Sequence, residues 1–436
     1  MSQAKKPLFS RPFLSALMVI IPAMVLLLNV TSKEKHYSMP DIYTWKTSTG
    51  IPVTWLTLDE WRPQDNLEIR ILFNHGYSND LKLSLTDATF ELLLRDTLPL
   101  STTSINDRLK LLGATIKYKV QSNRSELAIT MDGHPSLLLP SLDFLNLWLP
   151  KPDFKQRTFS NWKHPDRQQS QIKQQLLNAT FDTLSNHTST RSFNESITIE
   201  DINNSYQELK KHVSKIVFVG SVSNIEEFKQ QIDSISNSFS VTAPMSNRED
   251  PTQTMSLQAN EGLNLVESYA AVAIPQLSQP KEWFTLQFWA TYLLKEIHSD
   301  NIANHVELHI EASQPAPWIW WRIMHAPNIL QSSNYPISGS DKLSYYSKTL
   351  LEQTLLEEDV FNTTVDLFQE RMQQQSKQTK WWANIASNVS SGNEQALQNW
   401  INTYSLQLNE FSFTVYQEEL ERLIQTSRLH EVQIRQ

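Results

Sequence analysis

The chain has 436 residues, enough for two domains of ordinary size, and 40% of them are hydrophobic, which is sufficient for a substantial buried core. A net charge of -8, with no basic run beyond the first eleven residues, argues against nucleic acid as a partner. Cysteine is absent, so disulfides are excluded, and an exported protein of this kind suits a bacterial periplasm better than a eukaryotic secretory compartment.

The segment from Phe13 to Val30 is uncharged, preceded by Lys5, Lys6 and Arg11 and followed by Lys33, Glu34 and Lys35. It is long enough to cross a bilayer. The positive charge before it places the N-terminus in the cytoplasm and the bulk of the chain on the far side. Residues 1–36 are therefore expected to be a cytoplasmic N-terminus and a single-pass anchor in a bacterial inner membrane, with the rest in the periplasm. A signal peptide cleaved near Val30, Thr31 and Ser32 is the competing reading; the length of the apolar stretch favours retention.

Gly50 opens a turn into a strand that runs to Leu56. Leu67, Ile69, Ile71 and Phe73 then alternate with Glu68, Arg70 and Leu72, the pattern of a half-buried strand that stops at Asn74-His75-Gly76. A helix follows over the Leu85 to Thr97 stretch. Ser104 as cap, apolar residues at Ile105, Leu109 and Leu112, and a terminal Gly113 define a short helix. Ala114, Ile116, Tyr118 and Val120 share one strand face, Ser122 to Ser125 reverse the chain, and Leu127, Ile129 and Met131 return. Thr198 with Asp201 starts another helix, and the stretch Lys215 to Val222 reads as a buried strand ending at a glycine, Gly220.

Residues 236–256 contain two prolines and no sustained period, which marks a linker. Beyond it, a strand is expected at Tyr269 to Ile274 and a long apolar helix at Glu282 to Ile297, followed by helices at 341–356 and 360–374 and a final strand at Phe411 to Tyr416. Between these, His305, Glu307, His309 and Glu311 alternate with Val306, Leu308, Ile310 and Ala312. The polar face of an amphipathic strand is the favoured reading, and a strand-borne transition-metal site on His305, Glu307 and His309 is the sharper alternative. Trp318, Trp320 and Trp321 are read as core, with an aromatic interface patch as the alternative.

The run Leu85-Thr-Asp-Ala-Thr-Phe-Glu-Leu-Leu-Leu-Arg-Asp-Thr97, and the order of elements from residue 45 to residue 235, resemble the first domain of the pitrilysin/insulinase-type zinc peptidases. In that family the helix carries His-x-x-Glu-His, in which two histidines one turn apart bind zinc and the glutamate activates water. Asp87 stands at the first histidine position, Phe90 at the glutamate and Glu91 at the second histidine. Carboxylates suit zinc less well than imidazoles, and Phe90 has no proton to move. The family's remaining ligand is a downstream glutamate, yet no Glu occurs between Glu126 and Glu195; Asp166, beside His164, is the nearest substitute. The Arg and Tyr that active two-domain members supply from their second half are missing as well, with no Arg between Arg248 and Arg322 and no Tyr between Tyr292 and Tyr335.

The resemblance implies an α+β chain of two related αβ domains, residues 37–235 and 257–436, after the transmembrane helix. It implies no catalytic residue, no bound zinc and no other cofactor. The expected function is that of a catalytically inactive homologue, the non-catalytic subunit of a heteromeric, membrane-anchored periplasmic peptidase. Its partners would be an active zinc-peptidase chain of the same family and extended peptides taken up by strand addition. A stand-alone peptide-binding scaffold, and a metallopeptidase with an atypical metal set, are the alternatives.

Overall fold

Alternation and turn chemistry account for the first sheet. In a computed structural model, which describes residues 38–63, 65–74, 80–99, 101–121, 124–162, 172, 173, 176, 180, 197–241, 266–299, 305–312, 317–325, 357–389, 394–425 and 429–435, the chain opens with β1 (Asp41–Lys46) and β2 (Pro52–Thr57). They are joined through Gly50, whose φ of 83° is open to glycine and strained for other residues. Next come β3 (Asn66–Asn74), α1 (Asp80–Leu93), α2 (Ile105–Leu111), β4 (Ala114–Val120) and β5 (Arg124–Asp132). The first half is completed by α3 (Pro135–Trp148), α4 (Gln156–Asn161), α5 (Ile199–Lys211), β6 (Val213–Val219) and α6 (Ile225–Ser236).

The six strands lie in the order β1-β2-β6-β3-β5-β4, with β2 and β6 parallel and the other neighbours antiparallel. One face carries the core: Leu67, Ile69, Ile71 and Phe73 of β3 meet Phe90 of α1, Leu109 of α2, Leu145 and Trp148 of α3, Tyr206 of α5 and Phe228 of α6. The predicted caps form. Ser104 accepts from the Asp107 amide, and Thr198 and Asp201 make a reciprocal capping box. Gly220 follows β6 at a φ of 137° and lies so close to Leu67 that a side chain there would collide with it.

The second half contributes β7 (Val266–Ala273), α7 (Pro280–Ser299), β8 (His305–Glu311), β9 (Trp318–His325), α8 (Glu358–Gln375), α9 (Thr379–Val389), α10 (Glu394–Asn409), α11 (Phe413–Leu423) and β10 (Leu429–Arg435). Its antiparallel sheet has the order β10-β7-β9-β8. Residues 39–436 hold together as one unit.

Two expectations need correction. Residues 411–416 do not form a strand: Ser412 is extended, α11 starts at Phe413, and the last strand is β10. Phe411 and Phe413 mimic a period of two, but the buried residues Tyr416, Glu419 and Leu423 follow helical spacing, and Phe411 and Tyr416 both pack on Phe288 of α7. Nor is β3 half-buried. Glu68, Arg70 and Leu72 are as buried as the core face, because α9 packs across β3 and β6 on that side.

Three other expected features, the apolar segment Phe13–Val30, the helix at 341–356 and most of the 236–256 linker, lie outside the described residues. The first residues of that linker are described: Ser236 ends α6 and Phe239 is part of the first core. Among the described residues no helix is long and apolar enough to cross a membrane.

Candidate functional site

Helix α1 is wedged between the first sheet and α5. Its Phe90 and Leu93 enter the main core, while Ala88 and Leu92 pack against Ile202 of α5. Thr89 turns its hydroxyl back to the Leu85 carbonyl at 2.6 Å, so a polar residue sits in the buried helix without an unmet donor. The helix ends at Leu93; Thr97 beyond it donates to the Leu93 carbonyl and accepts from the Trp148 indole at 2.8 Å.

The three degenerate positions have each acquired a different partner. Phe90 is fully buried, edge-on to Phe73 at 5.5 Å and stacked on Tyr118 of β4 at 5.8 Å. Glu91 uses both carboxylate oxygens, one for Arg95 at 2.7 Å and the other for the Trp162 indole at 2.8 Å. Asp87 accepts a hydrogen bond from Tyr118, whose phenol is pushed far above its usual range by burial and then by the charges of Asp87 and Glu91. Both carboxylates therefore face β4 from one side of the helix.

This arrangement does not fit zinc. The sequence resemblance assigns Phe90 to the water-activating position and Glu91 to the second ligand position; Phe90 is a hydrophobic ring, and the Glu91 carboxylate is engaged by a guanidinium and an indole. His164 and Asp166 lie outside the described residues. Among the described residues, no group of three His, Asp or Glu side chains is placed to hold a metal ion. The local sequence did not contain the partners Tyr118, Arg95 and Trp162, which come from other elements or the helix end.

In β8, His305, Glu307 and His309 do share a face. His305 lies 2.7 Å from Glu307 and His309 lies 4.0 Å from it. Arg322 of β9 adds a guanidinium 3.6 Å from the same carboxylate and also holds Glu267 at 3.1 Å, a cation where a metal reading would need room for one. His309 stacks on Trp320 at 4.2 Å, and its imidazole is held below its usual range by burial and by Lys173, against the pull of Glu311 and Glu307. Glu311 is fully enclosed: Lys173 reaches it at 2.7 Å, the Trp318 indole at 2.9 Å and the Trp320 indole at 3.2 Å. Trp318, Trp320 and Trp321 are all buried, so they are core and present no exposed patch.

Two strand edges complete the site. Strand β4, against which the degenerate helix rests, is the outermost strand of its sheet, and β8 is the outermost strand of the second; among the described residues each is paired on one side only. The charge of Lys119 on β4 is within electrostatic reach of His309 and Glu311 on β8.

No protein-family model matches the chain, and no curated protein matches it in sequence. Solved structures do. The inactive domain of an M16 peptidase from Pseudomonas fluorescens superposes with a TM-score of 0.62 at 12% identity, over 91% of this chain and 98% of that one. The periplasmic protease PqqL from Escherichia coli gives 0.61 at 13% identity, over 92% of this chain and 46% of that one. The ferredoxin protease FusC, solved in complex with Arabidopsis ferredoxin, gives 0.61 at 9% identity over 92% and 46%. The present chain thus spans about half the length of the latter two. With its paired αβ halves, the chain has the fold of the M16, pitrilysin/insulinase-type peptidases.

Proposed function

We propose that this chain is the non-catalytic subunit of a heteromeric zinc peptidase, anchored in a bacterial inner membrane by Phe13–Val30 and facing the periplasm. The observation that carries the reading is Phe90: a fully buried ring stacked on Tyr118 occupies the position of the water-activating glutamate. A chain so altered still offers a wall. Its match to one half of PqqL supports a role as half of a chamber whose other half is a separate, active chain. Its contribution would be to hold extended peptide along the outer edge of β4, unpaired among the described residues, where backbone N–H and C=O groups supply affinity without chemistry.

The test is purification of the tagged full-length chain from native membranes in mild detergent, with every co-purifying chain identified and quantified. An equimolar second chain bearing an intact His-x-x-Glu-His is the expected result. Recovery of the chain alone, under crosslinking as well as without it, would overturn the reading. Release of the protein by alkaline extraction of the membranes would overturn the anchor.

A further inference from the structure

The β4 edge has an unbalanced charge. Lys119 is exposed to solvent on the outermost strand of its sheet, among the charges of Glu311, Arg124, Lys173 and Glu126. The two anions nearest to it are committed elsewhere. Glu126, directly across the strand pair, is held by Arg70 at 2.8 Å, and Glu311 is held by Lys173 at 2.7 Å. Arg124, buried at the start of β5, spends its guanidinium on neutral acceptors, the Ser387 carbonyl and the Asn388 side chain. Lys117 adds a further exposed cation two residues along the same face. The Lys119 ammonium makes no hydrogen bond or ion pair with any described residue, and burial, Arg124 and Lys173 together depress its pKa against the opposing pull of Glu311 and Glu126. In a chain of net charge -8, this is a local surplus of positive charge on the outermost strand of the sheet.

We propose that the Lys119 end of β4 is a subsite for a carboxylate carried by an extended peptide paired along that strand. The inference rests on the peptide-binding part of the function proposed above and adds a preference to it. A ligand lying on β4 places alternate side chains on the Lys117 and Lys119 face, so one acidic residue in register, or the peptide's own C-terminal carboxylate, meets the free ammonium.

The experiment uses the full chain in detergent and short fluorescein-labelled extended peptides read by fluorescence anisotropy. One peptide has a central Glu and an amidated end, one has Gln in its place, and one has Gln with a free C-terminal carboxylate. We expect one of the two acidic peptides to bind about tenfold more tightly than the neutral one, equivalent to about 1.4 kcal/mol. Which of them does so identifies the source of the carboxylate. Lys119→Met should remove the preference without weakening the neutral peptide, Lys119→Arg should retain it, and unchanged thermal unfolding checks that the exposed substitutions leave the fold intact. Equal affinities on the wild-type chain, or a preference that survives both Lys119→Met and Lys119→Glu, would overturn the subsite while leaving peptide binding in place. Failure of every peptide to bind would overturn the peptide-binding reading along with it.

Discussion

The ring of Phe90 lies nearly parallel to that of Tyr118, with centroids 5.8 Å apart and planes at 14°. A helix position that active M16 peptidases use for proton transfer is here joined by packing to the edge strand of the sheet. Tyr118 also donates to Asp87, so helix α1 and strand β4 are locked by one aromatic stack and one hydrogen bond. Restoring a zinc helix would therefore take core apart as well as adding ligands.

Phe90→Ala should destabilise the protein by about 3–5 kcal/mol, the usual cost of removing a buried aromatic ring. Phe90→Glu should be worse, since it places an unpaired carboxylate in the same space. Urea denaturation followed by tryptophan fluorescence measures both. A loss below about 1 kcal/mol for Phe90→Ala would mean that the ring is not packed as described.

Glu311 links the halves of the chain through Lys173. Burial alone would raise its pKa, but Lys173, Lys119 and the hydrogen bonds from Lys173 and Trp318 outweigh burial and hold it at about 2. Its contribution to stability is thus present above the unfolded-state value of 4.5 and is lost as pH falls from there towards 2. Glu311→Gln should flatten that part of the stability profile. Lys173→Met should cost more at neutral pH than Glu311→Gln, by roughly 1–3 kcal/mol, because it leaves a buried carboxylate without its cation.

Lys215 of β6 behaves in the opposite sense. Burial is the main influence on its ammonium and, with Arg124, brings it down to about 8, only partly opposed by Glu394. The folded state then disfavours the protonated form. Stability should rise as pH increases from 8 to the unfolded value of 10.5, by an amount on the order of 3 kcal/mol at about 1.36 kcal/mol per pH unit. Thermal melts across that range for wild type and Lys215→Met test this; a slope that persists in the variant must come from another group.

Arg124 fastens the β4–β5 hairpin to the end of α9 through Ser387 and Asn388. Arg124→Met should cost about 1–3 kcal/mol by leaving the Ser387 carbonyl without its partner. Hydrogen exchange should accelerate at the α9 end while α3, which packs on the opposite face of the sheet, keeps its protection. Arg124→Lys should not restore the wild-type pattern, because one ammonium cannot reproduce the guanidinium fork.

Much of the first half was legible in the chain itself. Gly50, Ser104, the Thr198–Asp201 pair and the alternation from Leu67 to Phe73 act within a few residues of themselves, and each formed the turn, cap or strand its chemistry requires. Local signals failed in the second half where aromatic residues are dense: Phe411 and Phe413 imitate a strand, and only their meeting with Phe288 of α7 shows why the segment is helical.

The sequence by itself determined which segments are amphipathic and where they start, because propensity, capping and periodicity are properties of neighbouring residues. The tertiary structure alone decided that α9 would cover the polar side of β3, that Tyr118 and Trp162 would donate to the carboxylates of Asp87 and Glu91, and that Lys173 would neutralise Glu311 from 138 residues away. Those outcomes depend on which distant surfaces meet, and a charge or ring in the chain carries no record of its partner until packing excludes water from the space between them.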